Sequence, residues 1–151
     1  MEPGGELIYL ETLTPGRVAS GEAFAFAHYS WWTDIQVADG LVLRERSSVT
    51  PEDCSIAGLR ALFPTSYYAS IVVISPASEN WKSDFPSAIS ALGDNVSARI
   101  AASKLCAHGW SIRLLAANSL VLHESIRKLR EMIYARLERR LPDPRRNGFG
   151  L

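Results

Sequence analysis

Asp39-Gly40 stands between two long runs of β-forming residues, and few other arrangements of a chain answer to that pattern. An Asp-Gly pair suits the tight turn whose twist matches two antiparallel strands. Upstream, Glu22 to about Val37 reads as extended, with Phe24 and Phe26 on one parity and Tyr29, Trp31, Thr33, Ile35 and Val37 on the other. That change of parity predicts a bulge near Ala27-His28, because one extra residue moves every later side chain to the opposite face. Downstream, Leu41 to Val49 returns as the partner strand.

A corner precedes the hairpin. Leu7 to Leu13 is rich in β formers, and Thr14-Pro15-Gly16-Arg17-Val18-Ala19-Ser20-Gly21-Glu22-Ala23-Phe24-Ala25-Phe26 follows it. Proline fixes a turn and glycine relaxes one, so the strand is expected to turn at Pro15-Gly16 and resume extended structure by Phe24. Arg17 and Glu22 then sit at fixed places on the corner.

Thr50-Pro51-Glu52-Asp53 has the order of a helix start, and up to Pro64 a loop with a turn or so of helix is expected. Ser66 to Ser75 is apolar enough at its end for a central strand. From Pro76 to Gly93 the period changes: Trp81, Phe85, Ala88, Ile89 and Leu92 form a helical stripe, with Pro86 able to start or kink it. Val96 to Leu105 and Trp110 to Ala116 read as two further strands. The last element is an amphipathic helix from Ser119 to Arg140, with Leu122, Ile126, Leu129, Ile133 and Leu137 on one stripe. Six strands and two helices, the helices towards the C-terminus, make a β-rich α+β fold with antiparallel pairing. Its 151 residues suit one domain with a real core.

Lys plus Arg equals Asp plus Glu at 16 each, so total charge selects no partner. Its distribution is uneven. Nine acids but only Arg17, Arg44, Arg46 and Arg60 precede Pro76, whereas the last helix and tail are basic. Such a basic end is a docking surface or a solvated helix face. Cys54 and Cys106 are too few for a disulfide framework and lack metal-site spacing, as expected in a reducing compartment. No signal peptide or membrane-length apolar stretch is visible, and a cytoplasmic location is expected.

No nucleophile motif, phosphate-binding glycine loop or zinc-site spacing occurs, so nothing in the residues supports an enzyme. Scattered donors remain. Cys106 and His108 are close enough to share a nickel or zinc ion, though two residues do not make a site. His28 and His123 read as surface histidines. Trp31 and Trp32 are adjacent and point to opposite faces, which makes one core and the other, Trp32, an interface candidate.

Leu13-Thr14-Pro15-Gly16-Arg17-Val18-Ala19-Ser20-Gly21-Glu22-Ala23-Phe24 resembles the signature segment of the urease accessory family called UreD, or UreH in some organisms. Tyr29 to Ile35, Ala38 to Leu43, Pro64 to Ile74, Ala98 to Leu105, Gly109 to Leu115 and the final helix match the family's features in order. The resemblance covers nearly the whole chain but only the C-terminal half of the family's length. The Pro142 to Phe149 tail departs from the family's closing segment, and either a fragment or a shortened homologue is implied.

The resemblance implies a stacked, helical β assembly and a non-catalytic scaffold that helps load nickel into apo-urease. UreF-like and UreG-like proteins and the urease apoprotein are the implied partners, with nickel in transit rather than tightly bound. Carboxylates make exchangeable ligands for such an ion, and Glu22 is the one at the matched corner. Its bland alternative is a salt bridge to Arg17 that pins the corner. Arg17, Trp32, Arg127 and Arg130 are the expected partner-binding residues. The competing expectation is a β-rich interaction module without a metal role; an uncharacterised hydrolase ranks last.

Overall fold

The computed structural model describes residues 4–51, 67–81, 84–93, 96–105 and 108–143. Strands β1 (Leu7–Leu13), β4 (Tyr67–Ile74), β6 (Gly109–Ala116) and β5 (Ala98–Lys104) form an antiparallel sheet in the order β1-β4-β6-β5. Strands β2 (Tyr29–Val37) and β3 (Gly40–Val49) make a separate two-stranded sheet. Among the described residues, two α-helices follow the hairpin, α1 (Asp84–Ser90) and α2 (Ser119–Arg136). The expected β-rich architecture with two helices towards the C-terminus is what the chain adopts.

Alternation along β4 explains how the layers stack. Ala69, Ile71 and Val73 point to one face and join Phe85, Ile89, Leu122, Ile126, Leu129 and Ile133 of the helices in the larger core. Val72 and Ile74 point to the other face and pack with Ile35 and Val42 of the hairpin. With helices on one side and the hairpin on the other, β4 is buried from Ala69 to Ile74, which is why it lacks polar alternation. Each large apolar side chain wholly buried this way stabilises the fold by about 1.5–3 kcal/mol.

The predicted helix over Pro76 to Gly93 is two elements. Ser75 caps the first, its Oγ accepting from Ala77 N at 3.1 Å, and a 3-10 turn runs from Pro76 to Asn80. α1 then begins afresh with Pro86 in its first turn. A continuous helix would need a backbone N–H at Pro86 and room for its ring against the carbonyl four residues back. Proline in the first turn avoids both demands. Gly93 closes this segment because a Cβ there would lie 2.7 Å from the Ala98 carbonyl oxygen, so the chain passes β5 too closely for any side chain.

Asn118 caps α2, its side-chain oxygen accepting from Val121 N at 2.9 Å. The helix ends at Arg136, four residues short of the predicted Arg140. Glu138 takes a left-handed φ of 55° and the chain closes back, Arg139 N donating to Tyr134 O at 3.0 Å. The predicted loop or helix after Thr50 falls mostly on residues 52–66, outside the described residues.

Candidate functional site: corner, hairpin and the polar layer beneath it

The corner is tighter than the sequence suggests. Gly16 adopts φ 90°, and a Cβ there would meet the Glu22 carbonyl at 3.3 Å, so this turn needs glycine. Glu22 N donates to Arg17 O and Phe24 N to Pro15 O at 2.7 Å, closing a loop around a 3-10 turn at Val18–Ser20. Phe24 itself lies at φ 55°, so the chain does not resume extended structure there, and β2 starts only at Tyr29. Arg17 grips Glu22 with two bonds, Nε to Oε2 at 2.7 Å and a terminal nitrogen to Oε1 at 3.0 Å. Both carboxylate oxygens are therefore engaged, although the side chains are 78% and 44% exposed.

A ladder of rings connects corner to hairpin. Phe24 meets Phe26, and Phe26 meets Tyr29, each edge-on at 6.2 Å; Tyr29 meets Trp31 at 5.2 Å. Trp31 is half-buried and faces the four-stranded sheet, whereas Trp32 is 72% exposed on the outer face. The hairpin's two-residue loop is Ala38-Asp39, with Gly40 already paired to Val37 as the first residue of β3. No bulge lies at Ala27-His28; the register slips between Ile35 and Gln36, where Ile35 pairs Leu43 and Gln36 pairs Leu41. Val42 is the extra residue, and it is buried against the sheet.

On the outer face, Trp32 lies across from Arg46 and Asp34 across from Arg44. Asp34 accepts from Arg46 at 2.7 and 3.1 Å and from Arg44 at 3.2 and 3.3 Å. Two guanidiniums share one carboxylate, leaving this aromatic-flanked face with a net positive charge. The hydrogen bonds from Arg46, then those from Arg44, hold the Asp34 carboxyl down at about 2. A carboxyl depressed when folded stabilises above its unfolded value, about 3.9, and that contribution is lost as pH falls through the folded value. Following the Asp34 carboxyl carbon by NMR through acid should give a midpoint near 2. A midpoint above ~3.5, close to the free side chain, would show that the arginines do not hold it.

The inner face of the hairpin carries a polar cluster that sequence reading missed. Arg113 of β6 donates to Glu45 Oε2 at 2.8 Å and to Ser70 Oγ at 2.5 Å, tying the two sheets together. Glu11 pairs Ser70 across the strands and faces the same layer, where its Oε2 is buried without a partner among the described residues; Trp31 Nε1 is likewise unpartnered. Burial raises the Tyr68 phenol above its ordinary value, against the pull of Arg113. Strand alternation held the signal: Glu11 follows Leu7 and Tyr9 on one parity, and Arg113 interrupts an otherwise apolar strand.

The remaining expected residues do not gather into one site. His108 Nδ1 lies 2.5 Å from Glu79 Oε1, and its companion Cys106 falls outside the described residues. Arg127 is taken up by Glu124 and Glu131. Arg130 has no ion pair among the described residues. Among those residues no cluster of three or more His, Cys, Asp or Glu is placed to hold a metal, and no helix is long and apolar enough to cross a membrane.

The sequence profile of the UreD urease accessory proteins matches residues 1–147. The chain belongs to the UreD family. A urease accessory protein UreD of Opitutus terrae is 28% identical over 141 residues, covering 91% of this chain and 50% of the relative. UreD proteins of several Staphylococcus aureus strains are 25% identical over 128 residues, covering 84% of this chain and 46% of theirs. The chain thus spans about half the length of the UreD relatives it matches. These relatives are accessory proteins by name.

Proposed function

We propose that this chain serves urease maturation as a non-catalytic scaffold, on which apo-urease meets UreF-like and UreG-like partners while nickel is inserted. The observation that carries this reading is the family match over residues 1–147. The exposed Trp32 beside Asp34, Arg44 and Arg46 supports it as a docking face, since tryptophan and arginine are the side chains most enriched where proteins meet. A cytoplasmic location follows from the partners proposed.

Co-expression with urease and UreF-like and UreG-like proteins, followed by affinity capture of this chain, tests the proposal. Recovery of the complex, and its loss on Trp32→Ala, is the expected result. Failure to recover any of the three partners with the unaltered chain would refute the scaffold role.

Glu22 is the carboxylate we propose for nickel in exchange, Arg17 being displaced when the ion arrives. Its two bonds to Arg17 favour the second reading, in which Glu22 only pins the corner and the chain is an interaction module without a metal role. Glu22→Ala distinguishes them. The nickel reading expects about tenfold less nickel delivered with the complex still recovered. A lowered melting temperature with nickel delivery unchanged would establish the pinning role instead.

A further inference from the structure

The two arginines on the outer face of the hairpin are held by one carboxylate in different ways. Arg44, directly across from Asp34, binds it through Nε and one terminal nitrogen. Arg46, across from Trp32, binds it through both terminal nitrogens, one of which also donates to the Glu45 carbonyl. A guanidinium carries five N–H donors, arranged in edges that each match the two oxygens of a carboxylate. Asp34 occupies one edge of each arginine, and a second edge of each stays open. In Arg44 it is the edge of the two terminal nitrogens; in Arg46 it is Nε with the terminal nitrogen beside it. Among the described residues nothing else bonds to these edges.

Elsewhere among the described residues each paired arginine has at least one acid to itself: Arg17 has Glu22, Arg113 has Glu45, Arg136 has Asp84, Arg139 has Glu6, and Arg127 has Glu124 and Glu131. Only on the hairpin do two guanidiniums share one carboxylate. Both side chains are ordered by Asp34 before any ligand arrives, so a second carboxylate meets donors already oriented. They are 57% and 49% exposed, and Trp32 beside them is 72% exposed. All four groups sit on β2 and β3, placed by the register of a single hairpin rather than by a neighbouring segment.

We propose that the outer face of the hairpin binds an acidic segment of a partner protein. A carboxylate of the segment takes the open edge of Arg44 or Arg46, and an apolar side chain two positions along covers Trp32. Alternate residues of an extended segment share a side and stand about 7 Å apart, the spacing of diagonal neighbours such as Trp32 and Arg44 across paired strands. A basic segment would meet two guanidiniums with like charge. This inference rests on the docking reading of the same face and adds the chemistry of what docks there.

The probe is a pentapeptide with one phenylalanine between pairs of glutamates, so that the outer glutamates share a side with the ring; its lysine counterpart is the control. NMR of the whole chain follows the Trp32 indole N–H and the Nε–H groups of Arg44 and Arg46. The glutamate peptide should shift these signals in a saturable way, and ~0.5 M salt should weaken its binding. Arg44→Gln combined with Arg46→Gln should weaken it at least ~10-fold, as should Trp32→Ala. Exposed positions such as these leave the melting temperature nearly in place. No shift at ~5 mM peptide, equal shifts from both peptides, or binding unchanged by the arginine substitutions would each overturn the proposal. So would a Trp32 indole shielded from a soluble gadolinium chelate in the chain without peptide. Shifts of the same size from inorganic phosphate alone would overturn it in favour of a phosphate site. None of these measurements needs urease or its accessory proteins, so failure to capture those partners would refute the scaffold role and leave a positive peptide result standing.

Discussion

Phe85→Ala is expected to remove a third or more of the stability of this chain. Phe85 is wholly buried, its ring 4.5 Å from Trp81 and 4.9 Å from Trp110, with the Arg136 guanidinium 5.3 Å from the ring centre. It joins α1 to the sheet and to the preceding 3-10 turn, whose Ser78 carbonyl accepts from Trp110 Nε1 at 3.3 Å. Trp81 and Trp110 cannot close over the absent ring, so the space left behind persists. Such truncations cost about 3–5 kcal/mol, against a total of about 5–15 kcal/mol for an ordinary domain. Denaturant unfolding followed by tryptophan fluorescence should show the midpoint falling by a third or more of its value. A loss under ~1 kcal/mol would mean that the aromatic cluster is not packed as described.

The second large effect concerns the layer between the sheets. Arg113→Met should leave the Glu45 carboxylate, 16% exposed, facing Ser70 and Glu11 with no cation beside it. Breaking a fully buried pair from one side costs about 3–5 kcal/mol; with Arg113 one-third exposed, about 2–3 kcal/mol is expected. The penalty belongs to the stranded carboxylate rather than to the lost bond. Arg113→Met combined with Glu45→Met should therefore recover much of the stability, since apolar replacements of similar size fill the layer without a charge. Urea titration of the four species tests this. A double variant no more stable than Arg113→Met alone would show that the lost bridge, and not the isolated charge, is what matters; one as unstable as the sum of the two singles would show that the two residues do not interact.

Most of the regular elements were legible because local chemistry and burial agree in them. β1, β4, β5, β6 and the amphipathic face of α2 each have a period, a cap or a glycine that means the same locally and globally. The misses share a different cause. Phe24 and Phe26 looked like one face of a strand, yet their spacing of two serves an edge-on ring ladder beside a closed loop. Aromatic contacts and strand alternation leave the same pattern in the sequence. The bulge was expected in β2 from that false strand, whereas the extra residue is Val42 in β3, which only the pairing of Ile35 with Leu43 reveals. The helical stripe from Trp81 to Leu92 is real as packing, but it is shared between a 3-10 turn capped at Trp81 and a helix that starts at Asp84 with Pro86 in its first turn.

The candidate site was legible only in part. Arg17 and Glu22 were singled out by the corner, and their mutual bond agrees with the simpler of the two roles considered for them. Trp31 and Trp32 face opposite sides of the hairpin, as their adjacency implies, and Trp32 is the exposed one. Glu11, Ser70, Glu45 and Arg113 come from four different strands, and no local spacing signals that they meet. Long-range charge pairing of this kind needs the fold first.

Burial of β4 on both faces also sets an order in which the molecule can come apart. The helix layer holds Ala69, Ile71 and Val73 through a large continuous core, while the hairpin holds Val72 and Ile74 through a few apolar contacts and the Arg113 bridge. Opening costs follow the surface uncovered, so the hairpin is the part that peels first. That partial opening would uncover Val72 and Ile74 while the helices stay closed over the other side. The strand that gives the fold its firmest centre thus also carries the adhesive stripe a half-opened molecule would show to its neighbours.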